Sequence, residues 1–312
     1  MAYTKSVTQD TYERVTNEVI KHLEKGEIVW KRGWNKLGLP KNIITGNTYR
    51  GWNVFWLNFA TLIRNYSTPY FLTYKQAAEA GGNVKKGEKG HLITYWATVE
   101  SRSRTKKATD PASGTDGEEP ATILVPKTFT VFNIDQTEGI SFPQVAAIPK
   151  QEFEKIQACE TVIEEMPKRP EIRYGGDRAY YVPSLDYVQL PPVELFKSNS
   201  SFYSVAFHEL AHATGHQSRL NRKELVESDG FGKELYSKEE LTAEFTAAFL
   251  SGICGIEQPL LENNAAYIQN WLTQLKNDKK LLLKAATQAQ RAADFILNIQ
   301  YVREEKREEI AA

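Results

Sequence analysis

Apolar residues recur early in the chain at helical spacing: Tyr12, Val15, Val19 and Ile20 share one stripe, with Glu13, Arg14, Glu18 and Lys21 between them. That period predicts an amphipathic helix over residues 8–25. From Trp30 to Tyr74 the chain is rich in aromatic rings, and Trp52, Phe55, Trp56 and Phe59 fall at the i, i+3, i+4, i+7 spacing of a buried helix face. Thr73 to Ala80 reads as a short helix stopped by Gly81-Gly82, and a turn follows at residues 85–90. Apolar runs at Leu92–Val99 and Thr128–Ile134 predict two paired strands. The Ser-, Thr-, Gly- and Pro-rich stretch between them, about residues 101–120, reads as a mobile insertion in a hairpin.

Pro143 to Pro149 marks the best candidate boundary, with a helix beginning near Glu152. Beyond it the pattern predicts strands at Ile172–Tyr181 and Tyr187–Leu190. Helices follow at Ser201–Thr214 and Lys238–Ser251, and then one or two long helices over 261–307. Both halves read as α+β, without the strand and helix alternation of a doubly wound sheet. At 312 residues the chain is long for a single core. The expectation is two domains, residues 1–148 and 149–312.

Composition narrows the class. Apolar residues at 41% and charged residues at 25% suit a soluble globular protein. No 18 apolar residues run together, so no membrane span or membrane partner is expected, and the N-terminus lacks the apolar stretch of a signal peptide. Cys159 and Cys254 stand far apart outside any Cys-x-x-Cys pair, which predicts buried thiols in a reducing cytoplasm. The net charge of zero hides an asymmetry: residues 1–107 carry 18 Lys and Arg against 8 Asp and Glu, and residues 151–312 carry 19 against 25. A basic first third is suited to meeting a polyanion.

The chemistry concentrates at His208-Glu209-Leu210-Ala211-His212. On a helix, residues four apart share a face, so both imidazoles can close on one zinc ion, with Glu209 beside it as general base. Chance supplies this pattern only on the order of 10⁻² times in such a chain. The metzincin continuation fails, because Gly215 is in place but position 218 is Ser218. A third ligand is expected from Lys238–Phe245, where Glu240 and Glu244 share a face. Glu240 is read as the ligand and Glu244 as the acid that holds a ligand imidazole. Glu239, rotated by about 100°, ranks behind Glu240. His216 lies one turn beyond His212 and reads as a group near the metal or the substrate, or as a polar residue at the helix end.

Aromatic rings and cations interleave between Trp30 and Trp96, a window that holds five of the six tryptophans. Flat rings that stack on unpaired bases beside cations that follow phosphates are how sequence-tolerant single-strand binders work. Tyr49, Arg50, Trp52, Lys85, Lys86 and Lys89 are the candidate DNA-binding residues, although Trp52 also lies on the core spacing. His22 and His91 carry no functional expectation.

The run His208 to His216 with Arg219-Leu220, and Glu239-Glu240-Leu241-Thr242-Ala243-Glu244 after it, resembles the metallopeptidase domain of ArdC-type antirestriction proteins. Tyr49-Arg50-Gly51-Trp52-Asn53, Leu72 to Ala77, Lys86-Gly87-Glu88-Lys89-Gly90 and Val131-Phe132-Asn133 resemble the N-terminal domain of that family. The resemblance implies a plasmid- or phage-encoded protein with a single-stranded DNA-binding domain ahead of a zincin-like domain, shielding incoming DNA from host restriction. Two functions stay open: a zinc peptidase delivered to DNA, with a protein or peptide substrate, and a DNA-binding protection protein whose zinc site is structural.

Overall fold

The computed structural model describes residues 2–31, 38–100, 122–140, 142, 152–226, 233–257 and 265–299. The predicted boundary at Pro143–Pro149, the insertion at 101–120, Trp34 and the Trp96 side chain lie outside what is described.

The first helix, α1 (Ala2–Glu24), precedes a single 3₁₀ turn at Val29–Lys31. Strand β1 (Lys41–Asn42) leads to α2 (Trp52–Arg64), which Gly51 admits with φ 54° and Asn65 closes in the left-handed conformation. Then come β2 (Tyr70–Thr73), α3 (Tyr74–Glu79), β3 (Asn83–Val84), β4 (His91–Glu100), β5 (Thr122–Asn133) and β6 (Thr137–Glu138). Thr73 and Gln76 form a reciprocal capping box that starts α3 straight from the end of β2.

Four of these strands make a sheet in the order β1-β2-β5-β4, and the predicted hairpin pairs antiparallel from His91↔Val131 to Glu100↔Thr122. One face of the sheet carries Phe71, Val131, His91 and Ile93, all buried, against α2. The aromatic periodicity of α2 therefore marks core. Its Asn53 amide donates to Thr94 O at 2.9 Å and accepts from Thr94 N at 3.1 Å. In this way it occupies the free edge of β4, as a neighbouring strand would.

The second half contains α4 (Glu152–Glu164), β7 (Glu171–Tyr174), β8 (Tyr180–Val182), β9 (Tyr187–Leu190), α5 (Asn199–Thr214), α6 (Lys223–Val226), α7 (Lys233–Cys254), α8 (Ala265–Asn277) and α9 (Leu281–Ile296). The single strand expected over 172–181 is two strands. Gly175 and Gly176, at φ 142° and 69°, reverse the chain so that β7 runs parallel and β8 antiparallel to β9. Of the one or two long helices expected over 261–307, the described residues form two, parted at Asp278–Lys280.

The two domains share one hydrophobic core. Helix α1 packs on α8 and α2 on α9. Trp30, fully buried, lies edge-on to Phe245 at 5.5 Å and to Trp271 at 5.0 Å, while Phe55 meets Phe245 at 4.9 Å. Cys159 and Cys254 are buried and neither forms a disulfide. No helix among the described residues is long and apolar enough to cross a membrane.

Candidate metal centre

Helix α5 starts where Ser198 accepts the amide of Ser201, and it carries His208 and His212 one turn apart on the face toward α7. Their Nε2 atoms lie 3.1 Å from each other. Glu240 of α7 completes the set, with its carboxylate oxygens 3.6 Å from His208 Nε2 and 3.3 Å from His212 Nε2. Ligands about 2.0 to 2.1 Å from a tetrahedral zinc stand about 3.4 Å apart. Two imidazoles and a carboxylate converging at that spacing fit a divalent ion, beside an open cleft. Among the described residues this is the group so arranged.

Electrostatics agree with the geometry. Burial disfavours a charged His212 ring, but its hydrogen bonds to Glu239 and Glu240 and their charges prevail, raising its pKa well above the usual histidine range. Burial alone would also raise the pKa of Glu240, yet contacts with His212 and His208 hold it down at about 2. The field at this point favours a cation.

Glu209, 9% exposed, opens on the same cleft of 1010 Å³ as His208 and His212. The cleft is also lined by Tyr180 and Tyr181 of β8 and by His216. His216 stands outside the ligand group: its Nδ1 accepts the Ser218 amide at 3.2 Å and faces Ser218 Oγ at 2.8 Å. Arg219 ties the wall to α5, forking onto Asp186 at 2.8 and 3.0 Å and donating to Ala213 O at 3.1 Å.

A carboxylate set against one of these imidazoles is Glu239, a neighbour of the expected ligand Glu240. Glu239 Oε1 lies 3.2 Å from His212 Nδ1, because a turn of about 100° from Glu240 carries its side chain behind the ring. Glu244, also buried, lies a full turn farther along α7. Arg222, which no sequence pattern singled out, donates to both oxygens of Glu239. Burial raises the pKa of Glu239, but Arg222 and His212 outweigh that and bring it to about 2.

The N-terminal candidates divide. Trp52 is 5% exposed, stacked with Phe55 and edge-on to Tyr12, so its ring has no face free for a base. Tyr49 is half-buried against Phe71, and burial pushes its hydroxyl up to about 12. Arg50 is exposed but forks onto Asp294 of α9 at 2.6 and 2.7 Å. The turn between β3 and β4 does expose Lys85, Lys86 and Lys89, although Lys85 Nζ also donates to Asp135 O at 2.8 Å. A helical period alone cannot tell a buried ring from a stacking platform, and of the two roles open to Trp52 the structure shows the core one.

Comparison with known proteins accounts for both halves. Residues 9–132 match the N-terminal domain of anti-restriction factor ArdC, and residues 157–288 match the zincin-like metallopeptidase family. The uncharacterized protein y4eC of Sinorhizobium fredii (strain NBRC 101917 / NGR234) is 34% identical over 92% of the chain and 91% of its own length. A DNA primase TraC of Escherichia coli is 34% identical over 93% of the chain, which spans 27% of that primase. The crystal structure of the antirestriction ArdC protein from the R388 plasmid, metal-free, superposes with a TM-score of 0.70 at 34% identity, covering 92% of this chain and 96% of that one. Its Mn(II)-bound structure superposes equally, with a TM-score of 0.70 at 33% identity and 92% and 97% coverage.

Proposed function

The chain belongs to the ArdC antirestriction family, and from that premise we propose that it protects incoming plasmid or phage DNA from restriction in the cytoplasm, binding single-stranded DNA through its N-terminal domain and hydrolysing peptide bonds at its zinc site. The observation that carries the enzymatic part is the convergence of His208, His212 and Glu240 within one cleft that also contains Glu209. A structural zinc site closes with four protein ligands and has no use for a base.

When bound, the ion supplies Lewis acidity for hydrolysis. The rest falls to the chain. His208, His212 and Glu240 hold the ion, and Glu209 takes the proton of the attacking water and returns it to the leaving amine. Among the described residues strand β8 pairs only with β9, so its other edge offers backbone groups to an extended peptide laid along the cleft. The exposed lysines of the β3–β4 turn and the basic charge of residues 1–107 supply attraction to a nucleic-acid backbone.

The test is a peptidase screen of the purified protein with and without single-stranded DNA, comparing wild type with Glu209→Gln. The variant keeps its metal, and its rate falls by roughly 10² to 10⁴, as expected for loss of a general base. A Glu209→Gln protein as fast as wild type refutes the mechanism. A wild type that binds DNA and metal but cleaves nothing leaves a protection protein with a structural ion.

A further inference from the structure

Arg222 takes no part in the hydrolysis described above, yet it is only 4% exposed. A guanidinium keeps its charge in a protein, so burying one is costly unless its donors are met. Here they are. Nε donates to Glu239 Oε2 at 2.9 Å and Nη2 to Glu239 Oε1, while Nη1 reaches Thr214 Oγ1 at 2.5 Å and Nη2 also reaches Ala211 O at 2.7 Å. Two of these partners belong to the last turn of α5, the turn that carries His212. The third is the carboxylate behind the His212 ring.

Gly215 makes the approach possible. A Cβ at that position would stand 2.9 Å from Arg222 Nη2, 3.0 Å from its Cζ and 2.9 Å from Leu225 Cδ2. Three residues after His212, the chain is left without a side chain where the guanidinium must pass.

Glu239 and Glu240 are adjacent carboxylates within reach of the same imidazole. With nothing to separate them, either could turn toward a divalent ion, and the site would lack a defined third ligand. Arg222 neutralises and immobilises one of the two, which leaves the other to face the metal.

We propose that Arg222 is a positioning residue of the metal centre. It acts through Glu239, which it forks, to hold His212 with Nδ1 as donor and the Nε2 lone pair turned to the ion, and it thereby reserves Glu240 as the ligand. This rests on the metal site proposed above.

Cobalt(II) titration of the full-length protein, followed by its visible absorption, tests the idea on wild type, Glu239→Gln, Arg222→Met and the double variant, each checked for fold by circular dichroism. Glu239→Gln weakens cobalt binding about 10- to 100-fold, the usual cost of losing such a support. Arg222→Met also weakens it and alters the absorption bands as Glu239 competes for the ion. The double variant binds no more weakly than Glu239→Gln alone, because the two residues act along one path. Single variants within twofold of wild type, or losses that add, overturn the positioning role while leaving the metal site intact. A wild type that takes up no cobalt overturns both. The zinc-loaded wild type gives a reading that needs no substitution: a slowly exchanging, downfield Nδ1 proton on His212 in the NMR spectrum, whose absence overturns the proposal even where a variant fails to fold.

Discussion

Adjacent glutamates at 239 and 240 have different environments, and the difference can be measured. Glu240 faces both imidazole Nε2 atoms. Glu240→Ala should therefore lower bound zinc as severely as His212→Ala, whereas Glu244→Ala should leave stoichiometry near wild type. Metal analysis of the purified variants decides it, and equal zinc in Glu240→Ala and wild type sinks the assignment. His91 shows a different consequence of burial. It lies among Trp56, Tyr66 and Phe71, with Tyr66 Oη 3.1 Å from its Nε2. Burial first, then the charges of Arg64 and Arg14, lowers its pKa to about 4. Between the ordinary value of 6.5 and 4 the unfolded chain binds this proton and the folded chain does not. The neutral ring's contribution is thus present above 6.5 and lost as pH falls toward 4, a difference of roughly 3 kcal/mol at most. Denaturant unfolding at pH 7.5 and pH 5 should show wild type losing more stability than His91→Gln. Parallel losses would dismiss this histidine as the cause.

Among the elements, α7 does the most to join the parts. Its N-terminal half brings Glu239 and Glu240 to the metal centre, and less than two turns later Phe245 packs on Trp30 and Phe55. The helix that completes the site is thereby fixed by residues from the other domain. The turn between β3 and β4 is built on different terms. Gly90 closes it because a Cβ there would come within 2.3 Å of Thr130 Cγ2 and 2.9 Å of the Phe132 ring. Gly87, at φ 87°, makes the bend, and Lys86 and Lys89 are left outward with Lys85. If this turn meets DNA, replacing the three lysines with alanine flattens the salt dependence of single-strand binding. The log-log slope falls by about 0.7 for each phosphate contact removed. Fluorescence anisotropy over a salt series measures it, and an unchanged slope excludes the turn from the contact.

For the whole molecule, the structure alters an expectation drawn from charge and motif positions. The basic residues and candidate stacking rings precede residue 108 and the proposed ligands follow residue 207, a distribution that predicts an N-terminal fragment able to fold and bind DNA alone. The shared core argues otherwise. A fragment ending near Pro149 would strip Trp30 of Phe245 and Trp271, Phe55 of Phe245, α1 of α8 and Arg50 of Asp294. Losing the packing around a single buried Trp or Phe typically costs about 3 to 5 kcal/mol, and a domain has only about 5 to 15 in all. The fragment is expected to be unfolded or aggregated at 25 °C by circular dichroism and size-exclusion chromatography, while the full chain is not. A fragment that unfolds cooperatively with a wild-type-like midpoint would refute this.

Local spacing by itself determined much of the chain: the amphipathic first helix, the β4–β5 hairpin, the helix bearing His208, Glu209 and His212, and Glu240 on a later helix. These are legible because helix and strand periods turn sequence separation directly into shared faces. The tertiary structure decided what no period encodes. It placed Trp52 inside, split residues 172–181 at two glycines, and set Glu239 behind His212. It also brought Arg222 beneath Gly215 and fused the two cores through Phe245. Each of these depends on which surfaces of distant segments meet, and a buried ring or a buried guanidinium looks the same in sequence as an exposed one.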